Sequence, residues 1–201
     1  MLDPLRRALK VALKAITRSM LNRSRVGEVD GITVCDTQAN EPSKSIFLQS
    51  TRDALKLIRN CDPRRHARIC RQFRYIVNMP LINVGECDHA SKTCNVDYTK
   101  YLATKNPEWN LRIYACLLVH EATHGLLLGK GIAYTRKNWQ RVEKLCRLEE
   151  FRFAQAVDPV WAAEHVRPFD PKAWKVHWGS RRGRLAANWE RIREVFRSPK
   201  S

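Results

Sequence analysis

Leu117-Leu118-Val119-His120-Glu121-Ala122-Thr123-His124-Gly125-Leu126 sets two histidines four residues apart, with a glutamate beside the first. On a helix, residues i and i+4 share a face one turn apart. Both imidazoles can therefore reach one divalent ion, and Glu121 is placed to act as a base toward water at that ion. The flanks strengthen the reading. Ala122, Thr123 and Gly125 fill the gaps without charge, and apolar side chains lead in (Ile113, Cys116, Leu117, Leu118, Val119) and out (Leu126, Leu127, Leu128). Three polar, titratable groups inside so apolar a helix are costly to bury without a partner, and a metal ion supplies one.

Working outward, Asn106-Pro107-Glu108 opens this helix: an N-cap residue, a proline at the first helical position and an acid in the first turn. The helix is expected over 107–128, ended by Gly129 and Gly131. After a connection over 130–136, a second long helix is expected over 137–157, stopped before Pro159. Upstream, Ile32–Cys35 reads as a short strand and Ser45–Gln49 as a second. Ser50 or Thr51 would then cap a helix over 52–60, and Asp62-Pro63 restarts helix through Phe73. Tyr75–Val84 is rich in strand formers, with the strand ending before Pro80 or running through it at an edge. Residues 85–95 read as a polar loop, and Asn95–Tyr101 as a further edge strand. The sum is an α+β chain with a short mixed or antiparallel sheet and helical ends. Its expected divisions are an N-terminal basic amphipathic helix (1–26), a central domain (27–157) and a Trp-rich basic extension (158–201) packed on it.

The motif with its apolar flanks resembles the extended signature of zinc metallopeptidases, over about residues 110–155. Nothing matches the longer pattern that takes a third histidine soon after the second, because Leu127 and Lys130 stand where its glycine and histidine belong. The resemblance is closer to the gluzincin class, which draws its third ligand as a glutamate from the next helix. That helix offers Glu143, Glu149 and Glu150. If the two helices pair tightly and antiparallel, residue 137+k faces 128−k, and Glu143 meets position 122, between the histidines. Glu150 falls about 10 Å further along at 1.5 Å per residue. Glu143 is thus the first candidate and Glu150 the second; Glu150 is also suited to orient a ligand from outside. Glu149 points elsewhere. All three also read as solvated charges pairing with Arg147 or Arg152.

The resemblance implies Zn2+ held by His120, His124 and a glutamate, Glu121 as general base and a peptide or protein substrate. It also implies a Tyr or His that hydrogen-bonds the developing oxyanion, for which Tyr134 and His177 are candidates. An edge strand beside the motif helix would be where an extended peptide docks.

Charge opens another possibility. The 201 residues carry a net charge of +17. Seven basic side chains and one acid lie in residues 1–25, and ten basic and three acidic in 165–201. Basic termini favour an anionic partner: nucleic acid, a membrane surface or an acidic protein. The alternative reading is therefore a non-catalytic metal-binding protein that acts through this surface. The seven cysteines form no C-x-x-C pair, which argues against a zinc ribbon. Cys116 and Cys146 read as small apolar residues within helices, Cys87 and Cys94 could bridge in an oxidising compartment, and Cys61, His66 and Cys70 form a conceivable structural metal group. No apolar leader or run of about twenty apolar residues is seen, so the expected location is cytoplasmic, with free thiols.

Overall fold

The computed structural model describes residues 19–38, 41–81, 85–100 and 106–171. It is an α+β arrangement in which five short strands form one mixed sheet. Strands β1 (Arg25–Val29) and β2 (Ile32–Asp36) form a hairpin. Its two-residue turn, Asp30-Gly31, has φ of 50° and 79°, the left-handed pair that a tight hairpin needs and that Asp-Gly supplies readily. Helices α1 (Glu41–Cys61) and α2 (Pro63–Gln72) then cross over to β3 (Tyr75–Asn78), parallel to β2. Next come β4 (Gly85–Asp88) and β5 (Thr93–Val96). β5 pairs parallel with β3 and antiparallel with β4, giving the order β1-β2-β3-β5-β4. Helices α3 (Pro107–Gly129), α4 (Trp139–Val157) and α5 (Pro159–His165) complete the chain.

Alternation along the strands divides the core between two faces. Val34, Ile76 and Cys94 are register partners across β2, β3 and β5. With Ile32 and Val96 they meet Leu55 and Ile58 of α1 and Tyr114, Leu118 and Ala122 of α3 in the main core. Cys35, Tyr75 and Val77 project from the opposite face and pack with Leu21, which belongs to a helical turn at 19–23. The rest of the expected N-terminal helix, and residues 172–201 of the C-terminal extension, lie outside the described residues. Within that extension, Trp161 and Ala162 of α5 join the main core.

Two expectations need correction. Residues 45–49 are not a strand; they lie in α1, which begins at Glu41 rather than 52. Ile46-Phe47-Leu48 imitates a strand locally, yet Phe47, Thr51, Ala54, Leu55 and Ile58 form one buried helical stripe, while Ile46 is exposed. Thr51 is thus interior to the helix, and its Oγ1 bonds Phe47 O at 2.8 Å and Tyr114 Oη at 2.9 Å. Nor are residues 85–95 a loop. They contain β4, all of the connecting turn and the start of β5. The edge strand is β4; in place of the edge strand expected over 95–101, β5 is internal and ends at Val96, with Tyr98–Lys100 a 3-10 turn. The polar composition of Gly-Glu-Cys-Asp suits an edge with one solvated side. Smaller differences concern ends: α3 runs one residue past 128 and α4 starts at Trp139.

Capping follows the sequence closely. Asn106 accepts from Trp109 N at 3.0 Å and Asp62 from Arg65 N at 3.0 Å, each followed by proline at the first helical position. After α3, Ile132 N returns to Leu127 O at 2.9 Å and Gly131 takes φ of 78°. This turn folds α4 back against α3 and sets the site.

Candidate metal centre

Burial of α3 on nearly all sides is what brings the polar trio inside. His120 and Glu121 are 6% and 5% exposed, and Glu143, from α4, is 3% exposed. The Nε2 atoms of His120 and His124 approach to 3.2 Å. Glu143 sets one oxygen 3.4 Å from His120 Nε2 and the other 3.7 Å from His124 Nε2. Donors arranged tetrahedrally about 2.0–2.1 Å from a zinc ion stand roughly 3.3–3.4 Å apart. The three side chains thus converge with the spacing of ligands to one ion. Glu143 Oε2 is buried and makes no hydrogen bond among the described residues. An orphaned carboxylate oxygen in a dry site is expensive, and an ion between it and the two imidazoles would satisfy it. The donor set of two imidazoles and a carboxylate is that of a catalytic zinc site.

Glu150 occupies a different position. Its Oε2 lies 3.0 Å from His120 Nδ1, the nitrogen on the far side of the ring. Arg147 Nη1 donates to both Glu150 oxygens, at 2.7 and 2.8 Å. When Nδ1 carries the proton and gives it to Glu150, Nε2 presents its lone pair to the centre, which is the tautomer a metal requires. Glu149 turns away and ties α4 to α2 through Arg65 and Arg68 at 3.1 and 3.2 Å, with Arg152 at 2.9 Å.

Electrostatics are dominated by burial and mutual contact. Without an ion, burial opposes a charge on His120, but the facing carboxylates of Glu143 and Glu150 outweigh it and raise its pKa to about 10. Burial, aided by the neighbouring His120 charge, lowers His124 to about 4. Burial raises Glu121 to about 7, with the negative charge of Glu143 adding to the effect and His120 opposing it. Burial works against ionisation of Glu143 too, yet the neighbouring His120 charge keeps it below the usual range, with Tyr134 contributing in the same direction.

Tyr134 stands beside this group. Its ring meets the His124 ring edge-on, with centroids 5.3 Å apart and planes at 87°. At 40% exposed it is the most open member. His177 is outside the described residues. On the other flank, β4 presses against α3 at Gly85, where an added Cβ would stand 2.8 Å from Leu117 Cδ1 and 3.2 Å from Glu121 Oε1. The Glu121 carboxylate therefore sits between the histidine pair and the sheet edge.

One participant escapes the sequence reading. Cys146, one turn after Glu143, is fully buried, and ligand atoms of His120, His124 and Cys146 all lie within 4.8 Å of one another. The i, i+3 spacing from Glu143 was its signal. Burial pushes its thiol well above the ordinary value, and Glu143 adds to the shift. Elsewhere, Cys61, His66 and Cys70 do not form a metal group: His66 bonds Asp30 at 2.8 Å and Cys61 is exposed. Cys87 and Cys94 are register partners on β4 and β5, and both thiols are free.

No helix among the described residues is long and apolar enough to cross a membrane. In comparisons with known proteins, no family model, no curated protein and no solved structure matches the chain.

Proposed function

We propose that the protein is a zinc-dependent hydrolase of peptide bonds, with a gluzincin-like centre formed by His120, His124 and Glu143. The observation that carries this reading is the convergence of both Nε2 atoms on a buried Glu143 carboxylate whose Oε2 is unsatisfied. Zinc held there would acidify water and polarise a carbonyl. The chain's own groups supply the rest. Glu121, buried beside His120, is the carboxylate placed to accept a proton from the attacking water and return it to the leaving nitrogen. Glu150 fixes the ring of His120, and Arg147 keeps Glu150 ionised. Tyr134, exposed next to His124, is the candidate donor to the developing oxyanion. The outer edge of β4, which pairs only with β5 among the described residues, suits an extended peptide added as a further strand beside Glu121.

The test is Glu121→Gln. In metal-loaded protein, zinc content and circular dichroism should stay near wild type while cleavage of a mixed peptide library disappears. Unchanged cleavage would refute the assignment of Glu121, and with it the hydrolytic mechanism.

A second reading keeps the metal and drops the chemistry: a metal-binding protein acting on an anionic partner through its basic ends. The presence of Cys146 as a fourth possible donor and the charge of +17 favour it. It makes Glu121 dispensable, and it requires binding of nucleic acid or anionic vesicles that weakens steeply with salt.

A further inference from the structure

We propose that Cys146 is the fourth protein donor of the resting metal centre and the one that gives way when the site opens. The inference rests on the metal reading above and concerns what completes that site. Glu143 and Cys146 lie one turn apart on α4 and face the same histidine pair: Glu143 within 3.4 and 3.7 Å of the two Nε2 atoms, Cys146 Sγ within 4.8 Å of a nitrogen on each ring. Sulfur and nitrogen on one tetrahedral ion stand roughly 3.6 Å apart. Binding the ion would draw Sγ and the two nitrogens together from within 4.8 Å to that spacing. The resulting set of two imidazoles, a carboxylate and a thiolate is a closed tetrahedron. It selects a borderline-soft ion such as zinc over magnesium or calcium.

The surroundings of the two α4 donors decide which one leaves. A displaced Glu143 would strand a carboxylate in a site where its Oε2 has no hydrogen bond. A displaced Cys146 returns to apolar company, because Leu127, Val142 and Cys146 form their own buried cluster with Ile132 and Leu145 against it. The incoming oxygen ligand would replace the metal–sulfur bond, and the proton it gives up on binding would pass to the departing sulfur, leaving a neutral thiol that is at home there. Cys146 is therefore the donor that can be exchanged at little cost, and the site alternates between a closed four-donor state and an open three-donor one.

Cobalt(II) titration of the full-length protein reads this directly, since a thiolate on cobalt gives a near-ultraviolet charge-transfer band and the visible bands report the ion itself. The expected result is both sets of bands in wild type. Cys146→Ser should lose the charge-transfer band and keep the visible ones, and Cys87→Ser should keep both. Acetohydroxamate, a small bidentate chelator, should abolish the sulfur band of wild type while cobalt stays bound. Cobalt bound without a sulfur band, or a band that survives Cys146→Ser, overturns the proposal and leaves the three-ligand centre standing. Failure of cobalt to bind at all overturns both. If Cys146→Ser does not fold, Cys146→Ala replaces it, and a wild-type spectrum without a sulfur band overturns the proposal by itself.

Discussion

Replacing Glu150 by glutamine separates the two acidic residues that the motif helix faces. In wild type, Glu150 accepts the His120 Nδ1 proton at 3.0 Å, and Arg147 bonds both of its oxygens. Glutamine keeps an acceptor of the same shape but loses the charge that makes His120 a stronger ligand. Such outer partners of a metal-bound histidine are worth about ten- to a hundredfold in affinity, or about 1.4–2.7 kcal/mol. Arg147 is 32% exposed at its side chain and can turn to water, so the fold should lose little. Glu143→Gln takes charge and donor strength from an atom aimed at the ion itself, and should cost well beyond that range. Competition for zinc against a chromophoric chelator measures both variants, with circular dichroism as the check on folding. Equal losses, or a larger loss in Glu150→Gln, would refute the division of labour and make Glu150 the ligand.

Two further outcomes follow from packing and charge. Gly125 lies where the end of α2 meets the motif, and a Cβ there would stand 2.4 Å from Gln72 Oε1 and 2.8 Å from its Cδ. Gly125→Ala alone should therefore fail to gain the about 1 kcal/mol that alanine offers within a helix, whereas Gly125→Ala with Gln72→Ala should recover it relative to Gln72→Ala; urea unfolding showing strict additivity would contradict this contact. Glu121 ties stability to pH in protein stripped of metal by a chelator. Its folded pKa is raised to about 7 from the ordinary 4.5, so its contribution is fully present below about 4.5 and lost as pH rises through 7. The loss is on the order of 3 kcal/mol. Glu121→Gln should match wild type near pH 4 and exceed it above pH 7, and a difference that stays flat with pH would refute the burial argument.

Helix signals proved the most legible part of the chain. Asn106-Pro107 and Asp62-Pro63 mark helix starts where the structure has them, because a cap is a local event that needs no tertiary partner. The position of Glu143 could be read from two helix ends and the rise per residue, since the connection between α3 and α4 is short enough to enforce antiparallel pairing. Elements whose identity depends on distant partners were less legible. Residues 45–49 carry strand-forming side chains, but burial of Phe47 against Tyr98 and Tyr114 requires the helix. β4 is four residues long and polar, and only its pairing with β5 makes it a strand. Cys146 was read by its hydrophobicity, which is a fair account of its neighbours Leu127 and Val142; its second role emerges only when α3 brings the histidines across. Gly125 reads in the sequence only as an uncharged gap residue of the motif, and its close approach to Gln72 depends on where α2 ends.

The central claim is that His120, His124 and Glu143 hold an ion together. Elemental analysis of protein purified without chelators tests it most directly, with His120→Ala and Glu143→Ala prepared alongside. The account predicts about one zinc per wild-type chain, lost from both variants while their circular dichroism remains that of a folded α+β protein. Wild-type protein that is folded and free of zinc, and that takes up none on titration, would contradict it.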